Sequence, residues 1–595
     1  MANRSPATDA GTVIFHAIIV VAFLVLALTG ARIASDEPGL SGLRLLDPLL
    51  PMENVWVLHM LAAIGLTAGI AGYFVYIVKA RLTARTRLDR GRLTALFRPG
   101  RAWFAAASVL VHWLTMLAIA AEIFSGSLLF LSGGMAANAL HLYASGALIL
   151  LPLLHVVLHW RFGGLGQLLR IVRPSALVIQ PPPPDFAALL AKHLADPAAD
   201  RRLTADMPEP ARGAALVPLL VGILVACAVA AGLLGFEWST RRPLIAARIA
   251  GKDAPKLDGD LADAAWSKAN VETIWTEHGG NFSGGATAGT GQSVVEVRAV
   301  HDNAYAYFAF TWSDPTRSLK HLPLVKRAGG WQLAGIGQGP DENASLAEDK
   351  FSVLIASPGV PLIGAAIHLS RSPLGGVPGG RSGRGLHYTK ASRIADVWEW
   401  RAAHGGTIVD CHFGPPAAPT AGQIAGRQNY QGGYSADPGE AGFEDNFKRL
   451  TVGQTGRFSD LVQPLRLPRH PAATLVSLSS IRDDANVSES EDARWWLSAG
   501  NSVPFSAAAD AAVPVGTVIP SILIDRPESG DRADVVGIAQ WNSGRWTLEL
   551  ARKLDTGSAN DVAIRSGDLL WVAAFDHSET RHTRHLRPLI LELLP

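Results

Sequence analysis

Six histidines lie in strongly apolar surroundings: His16, His59, His112, His141, His155 and His159. Imidazole is a common ligand of haem iron and the commonest metal ligand. Polar side chains are expensive inside a bilayer, so each one there marks a functional position. The spacing sharpens this. His141 and His155 are fourteen residues apart, close to four helical turns, so they leave one face of a helix about 21 Å apart along its axis. That separation suits two haems stacked across a membrane, each completed by a histidine from another helix.

The elements that must position them are five apolar stretches, 11–33, 55–78, 103–131, 137–160 and 214–236. Each is long enough to cross a hydrocarbon core of roughly 30 Å. The first is too long to be a cleaved signal peptide and is followed by other spans. The segment from Lys79 to Arg101 carries eight basic residues against one acid, Asp89, and the segment from Arg161 to Arg212 carries seven basic residues. The connection after the first span has only Arg32 and Arg44, and residues 132–136 have none. Basic loops face the cytoplasm, so the N-terminus is expected inside and everything after the fifth span outside.

This topology pairs the histidines by depth. His16, early in a helix that starts inside, is level with His155. His59, early in a helix that starts outside, is level with His141. We therefore expect an inner haem b on His16 and His155, and an outer haem b on His59 and His141. His112 is expected near mid-depth without a level partner, as a hydrogen-bonding residue. His159, one turn beyond His155, is expected at the cytoplasmic edge. Glu122 falls toward the outer end of the third span, either relaying a quinol proton or simply wetted at the interface.

Composition narrows the field. Of 595 residues 48% are apolar and 17% charged, below the quarter or so usual in soluble proteins. A net charge of +2 excludes nucleic-acid binding driven by a basic surface. Two cysteines, Cys227 and Cys411, exclude a disulfide scaffold, a four-cysteine zinc site and a cysteine-ligated iron–sulfur cluster. No CxxCH is present, which excludes covalently attached c-type haem.

After Trp238 the chain changes character. It becomes rich in Gly, Pro, Asp and Trp, with eleven of the sixteen tryptophans between Trp266 and Trp571. Short apolar runs at 294–300, 304–310, 351–355 and 546–550, bounded by turn residues, read as strands. The expected fold class is a membrane all-α four-helix di-haem bundle plus a fifth transmembrane helix, followed by an all-β sandwich. The boundaries are 1–165 for the bundle, 166–240 for a cytoplasmic linker with Pro181–Pro184 and the fifth helix, and 241–595 for the exterior β domain.

Two resemblances follow. Residues 11–160 resemble the bacterial cytochrome b561 family, through Ile14-Phe15-His16, Val57-Leu58-His59 and His141-Leu142-Tyr143 onward to His155 and His159. That family places haem ligands on helices one, two and four and exchanges electrons with a quinone pool, so quinone is the implied substrate. Across 250–595 the chain resembles the haem-binding domain of ethylbenzene dehydrogenase and dimethylsulfide dehydrogenase gamma subunits. The carrying residues include Lys256-Leu257-Asp258-Gly259, Trp266, Glu348-Asp349-Lys350, Trp398 to Trp400, Trp541 to Trp546 and Phe575-Asp576. That resemblance implies a β-sandwich holding a third haem b, with a molybdenum oxidoreductase as redox partner.

The gamma subunits ligate their haem with a Met and a Lys. Here no Met follows Met207, so the ligand set must differ. His368 and His585 are the expected pair, with His387, Lys390 and His582 in reserve. Two functions remain open at this point. One is a b-type cytochrome of the bacterial inner membrane, linking membrane quinone to a periplasmic redox partner. The other is a membrane-anchored sensor whose β-sandwich binds a sugar or an apolar ligand. The Leu257-Asp258-Gly259…Trp266 opening also occurs in carbohydrate-binding sandwiches.

Overall fold

The computed structural model describes the chain outside residues 1–7, 36–39, 47–48, 51, 99, 132–134, 173, 176–214, 279–292, 335–346, 359–366, 371–372, 375–376, 378–385, 390–392, 426–429, 453–456, 471–487, 490–492, 577–582 and 586. It divides into two compact units. One comprises Met1–Ala34 and Asn54–Phe236, the other Ser35–Glu53 and Glu237–Pro595.

The first unit is helical: α1 (Ala10–Ala34), α2 (Met52–Lys79), α3 (Arg101–Leu131), α4 (Met135–Leu168) and α5 (Leu216–Ser239). All five are long and apolar enough to cross a membrane, and each contains or nearly matches a span expected from the sequence. Large apolar side chains such as Leu24, Leu117, Leu150 and Leu224 are exposed on them. Helices apolar around their whole circumference suit a lipid surround. In α4 the backbone leaves helical geometry at Gly163 and Gly164, the latter at φ 61°, a left-handed value glycine adopts without steric penalty. The regular part of α4 thus ends just after His159.

Asp9 fixes the start of α1. Its carboxylate accepts from Thr12 N at 2.8 Å, Tyr76 OH at 2.5 Å and Arg85 at 2.9 Å, tying the first turn of α1 to the last of α2. Helix α5 packs against α2 through glycines. A Cβ on Gly222 would stand 3.0 Å from the Ala68 carbonyl oxygen, and one on Gly72 would stand 2.9 Å from that of Pro218. Small residues let membrane helices approach this closely, so α5 lies directly against α2. The segment with Pro181–Pro184 lies outside the described residues.

The second unit is β-rich. Its main sheet has thirteen strands: β1 (Arg242–Arg248), β2 (Glu272–His278), β3 (Ser293–His301), β4 (Tyr305–Ser313), β5 (Lys350–Ala356), β6 (Ala395–Arg401), β7 (Ile408–Phe413), β8 (Tyr434–Ala436), β9 (Val535–Asn542), β10 (Arg545–Lys553), β11 (Leu569–Phe575), β12 (Thr583–Arg584) and β13 (Leu589–Leu593). Eleven run in the order β8-β7-β6-β5-β11-β13-β1-β3-β4-β10-β9, while β2 pairs with β3 and with β12. Pairing is antiparallel except where β1 joins β13 and β3. The four strands expected from the sequence are β3, β4, β5 and β10.

Strands β6 and β10 stand far apart in that order, yet Trp400 and Trp546 have ring centroids 4.7 Å apart. The sheet is therefore curled so that its two halves face each other. Trp312, Phe351, Trp398, Trp400 and Trp546 fill the space between, which explains the tryptophan density of this half as core packing. A five-stranded sheet, including Leu324–Arg327 and Arg457–Pro464, adds to the same unit.

Candidate functional site

The helices bring His59 and His141 together. Their ring centroids are 6.3 Å apart with planes at 70°. His59 Nδ1 lies 2.9 Å from Thr29 Oγ1, and that hydroxyl donates its own proton to the Val25 carbonyl at 2.7 Å. The hydroxyl must then accept from His59, which puts the ring proton on Nδ1. His141 repeats the arrangement. Its Nδ1 lies 3.0 Å from Ser125 Oγ, which donates to the Ala121 carbonyl at 2.7 Å. Glu122 Oε2 lies 2.6 Å from the same Nδ1, and Ser145 Oγ donates to Oε1 at 2.6 Å.

Both rings therefore present Nε2 with a free lone pair, and among the described residues neither Nε2 has a hydrogen-bond partner. A bond of about 2 Å from imidazole nitrogen to a transition metal, with the nitrogen ~1 Å from its ring centre, sets two rings on one iron roughly 6 Å apart. The observed spacing matches. Orientation of a ligating imidazole through its other nitrogen is the usual outer-shell device of metal sites. Glycine also fits here. A Cβ on Gly126 would lie 3.3 Å from His141 Cε1, and one on Gly30 would lie 3.6 Å from His59 Cε1.

The second set gathers four histidines. His155 lies within electrostatic range of His16, His112 and His159. The rings of His155 and His159 are 4.4 Å apart. His159 is committed on both nitrogens, Nε2 to Ser108 Oγ at 3.1 Å and Nδ1 near Gln167 Nε2 at 3.4 Å. His16, His112 and His155 have no hydrogen-bond partner among the described residues. His112 is thus not isolated at mid-depth. Helix α3 begins well below the end of α2, and the neighbouring Trp113 donates to the Thr86 carbonyl at 2.7 Å, in the basic connection after α2. Residue counting within one apolar stretch missed this overhang.

In the β unit, His368 lies on the strand Ile367–Ser370, opposite Tyr388 in register; its side chain is outside the described residues, as are Lys390, His577 and His582. His387 packs on Phe413 with centroids 4.9 Å apart. His585 is placed beside β11. Its Nε2 accepts from Val572 N at 2.9 Å and its Nδ1–H donates to the Arg587 carbonyl at 2.7 Å. Burial lowers its pKa to about 4. As it stands His585 presents no free nitrogen, so ligating iron requires exchange of the Val572 hydrogen bond.

Glu348-Asp349-Lys350, noted in the sequence only as a motif of the resemblance, is a buried polar centre, its three residues at most 1% exposed. Glu348 accepts from Ala403 N at 2.5 Å and lies 3.1 Å from His321 Nδ1. His404 is buried nearby, its ring 3.8 Å from that of Phe443 and 6.3 Å from that of His321. Both His404 nitrogens lack a partner among the described residues. Burial, then Arg401, His321 and Lys350, hold its pKa well below the usual imidazole value. A charged tripeptide entering a strand was the only signal available.

A sequence profile described as ethylbenzene dehydrogenase matches residues 263–587, more than half of the chain. The chain belongs to the ethylbenzene dehydrogenase family. The match covers most of the β unit and makes it a domain of a redox-related family, here attached to membrane-spanning helices. No match exists among curated proteins. Among solved structures, a family 9 carbohydrate-binding module from Caldicellulosiruptor kristjanssonii in complex with glucose is 7% identical, over 60% of this chain and 97% of that one, with a TM-score of 0.21. A protein from Bacteroides uniformis, assigned to carbohydrate binding, is 9% identical over 59% and 99%, with a TM-score of 0.22. Scores this low fix neither topology nor ligand. For an ethylbenzene dehydrogenase family member, the membrane histidines are then the part that the family match leaves unaccounted for.

Proposed function

We propose that this chain is a membrane-bound b-type cytochrome of the bacterial inner membrane, passing electrons between the quinone pool and a periplasmic redox partner such as a molybdenum oxidoreductase. The observation that carries the reading is the His59–His141 pair: two rings at metal-spanning distance, each with its proton fixed on Nδ1 and its Nε2 free. Bound there, haem b supplies one-electron chemistry at its iron. Thr29, Ser125 and Glu122 hold the two imidazoles in the ligating tautomer, and the apolar helices exclude water.

His16 and His155 hold the inner haem in this reading, and the b561 resemblance extends to all four ligands. The N-terminus is cytoplasmic and the β unit periplasmic, from the basic loops. A third haem would be held in the β unit by His368 and by His585, once the Val572 N–H gives up its hydrogen bond to His585 Nε2. The deciding experiment is a reduced-minus-oxidised spectrum with a haem count on the purified full chain. Three haems b per chain support the whole reading. Two make the β unit a binding or docking module on a di-haem anchor, and none overturns the proposal. His368→Ala and His585→Ala should each remove only the third haem. If it survives both, His404 is the next residue to substitute.

A further inference from the structure

Asp396 on β6 and Asp410 on β7 project from the same face of the sheet, since Trp398 is the register partner of Asp410 and Asp396 that of His412. Asp561, in the connection after β10, meets them from the facing half. One carboxylate oxygen from each of the three lies within 4.8 Å of the others. Asp437, just after β8, adjoins them. All four side chains are buried, Asp396 at 0% and Asp410 at 1% exposure.

Donors satisfy only part of this cluster. Asp396 accepts from Trp398 Nε1 at 2.8 Å, and Asp437 Oδ1 pairs with His412 Nδ1 at 2.5 Å. Asp561 Oδ2 accepts from Thr556 Oγ1. The Arg552 guanidinium lies 2.9 Å from Asp396 and 3.2 Å from Asp561, and donates to the Val562 carbonyl at 2.7 Å. Four buried oxygens remain without any partner among the described residues: both of Asp410, Oδ2 of Asp437 and Oδ1 of Asp561. Were all four carboxylates ionised, Arg552 and His412 together could balance only two of their charges. An unpaired buried charge is among the most destabilising features a fold can contain.

We propose that this cluster is a binding site for one hard divalent cation of the calcium type, held by both oxygens of Asp410 and by Asp561, with Asp396 and Asp437 completing the charge balance. Calcium takes six to eight oxygens, accepts bidentate carboxylates and tolerates irregular geometry. Magnesium demands a near-ideal octahedron, which the narrow bite of a bidentate Asp410 cannot supply, whereas calcium accepts that bite and completes its shell with water. The competing neutraliser is a proton: burial and the neighbouring carboxylates push Asp410 up to about 10 and Asp396 to about 7. The other acidic group, Asp314, Asp349 and the partly exposed Asp576, differs in degree. There Asp349 Oδ2 accepts from Ser318 N and Trp546 Nε1, and Asp349 Oδ1 is without a partner among the described residues.

The test uses the full chain, purified in detergent and stripped with a chelator. Calcium should raise its unfolding temperature, and terbium should bind with luminescence excited through indole, displaced by calcium. Asp410→Asn and Asp561→Asn should each weaken calcium binding at least tenfold and abolish the thermal shift. Trp398→Phe should dim the terbium signal, because that indole donates into the cluster. The proposal is overturned if stripped and calcium-treated parents unfold at the same temperature without terbium luminescence. It is equally overturned if Asp410→Asn is as stable as the calcium-treated parent, since the neutral amide mimics a protonated carboxyl.

Discussion

The two units handle buried polarity in opposite ways. In the helical unit it is sparse, and three of the six rings are individually placed: His59 by Thr29, His141 by Ser125 and Glu122, His159 by Ser108 and Gln167. In the β unit it is dense and shared, as where Arg552 lies between Asp396 and Asp561 at 0% exposure. A lipid surround leaves no water to satisfy stray polar groups, so few survive there. A curled sheet with facing halves tolerates a buried network, provided its charges balance.

The largest effect expected from this contrast is all-or-none. His59→Ala and His141→Ala should each remove the same haem from the purified chain. His16→Ala and His155→Ala should each remove the other. His159→Ala should leave the count unchanged, because both its nitrogens are already engaged, and His112→Ala should also keep both haems. The haem count per chain and the split of the α-band report this directly. Loss of a haem in His112→Ala but not in His16→Ala would move the inner ligand from α1 to α3.

The next effect is one of stability. Arg552→Ala strips the cation from between two buried carboxylates, and breaking a buried pair in this way costs about 3–5 kcal/mol. Thermal unfolding of the β unit within the full chain measures it. The comparable change in the helical unit, Arg85→Ala, should do far less. Arg85 is half exposed, and Asp9 keeps Tyr76 and Thr12 as donors. Equal losses would mean that the two units do not differ in how they bear charge.

These two predictions also mark what was legible in advance. The helical unit was readable because a histidine in an apolar run is an anomaly, and depth follows from counting residues along a helix. The tautomer-fixing hydroxyls of Thr29 and Ser125 were not, since each lies on a different helix from the ring it orients. In the β unit β3, β4, β5 and β10 were readable from alternation and turns. The curl was not, because nothing local says that Trp400 meets Trp546. For the same reason nothing local in the sequence brings Asp396, Asp410 and Asp561 together or marks His404 as buried.

A smaller effect depends on pH. His404 is held well below the usual imidazole value, so the folded protein keeps it neutral while the unfolded chain takes up a proton below about 6.5. The unfolded state then binds more protons, and stability must fall as pH drops through that value. His404→Phe removes this linkage. Its unfolding temperature should therefore decline less than that of the parent between pH 7 and pH 5, in the same detergent and salt. Parallel declines would show that His404 finds a proton acceptor in the folded state.

The smallest effect tests how finely the membrane pair is set. A Cβ at Gly126 would stand 3.3 Å from His141 Cε1, tighter than ordinary van der Waals contact, whereas one at Gly30 would stand 3.6 Å from His59 Cε1, an ordinary contact. Gly126→Ala must therefore displace the His141 ring by a few tenths of an ångström or tilt it, and Gly30→Ala need move nothing. Neither substitution changes charge, and alanine suits a helix better than glycine, so both proteins should fold and keep their haem count. The expected outcome is a shifted low-spin electron paramagnetic resonance signal and midpoint potential for the outer haem in Gly126→Ala, with the inner haem unchanged and Gly30→Ala identical to the parent. Ring orientation is what such signals sense, because the ligand planes set how the iron orbitals split. If Gly126→Ala leaves the outer signal where it was, the ring is held by Ser125 and Glu122 strongly enough that the helix surface yields instead, and Glu122→Gln becomes the substitution that should move it.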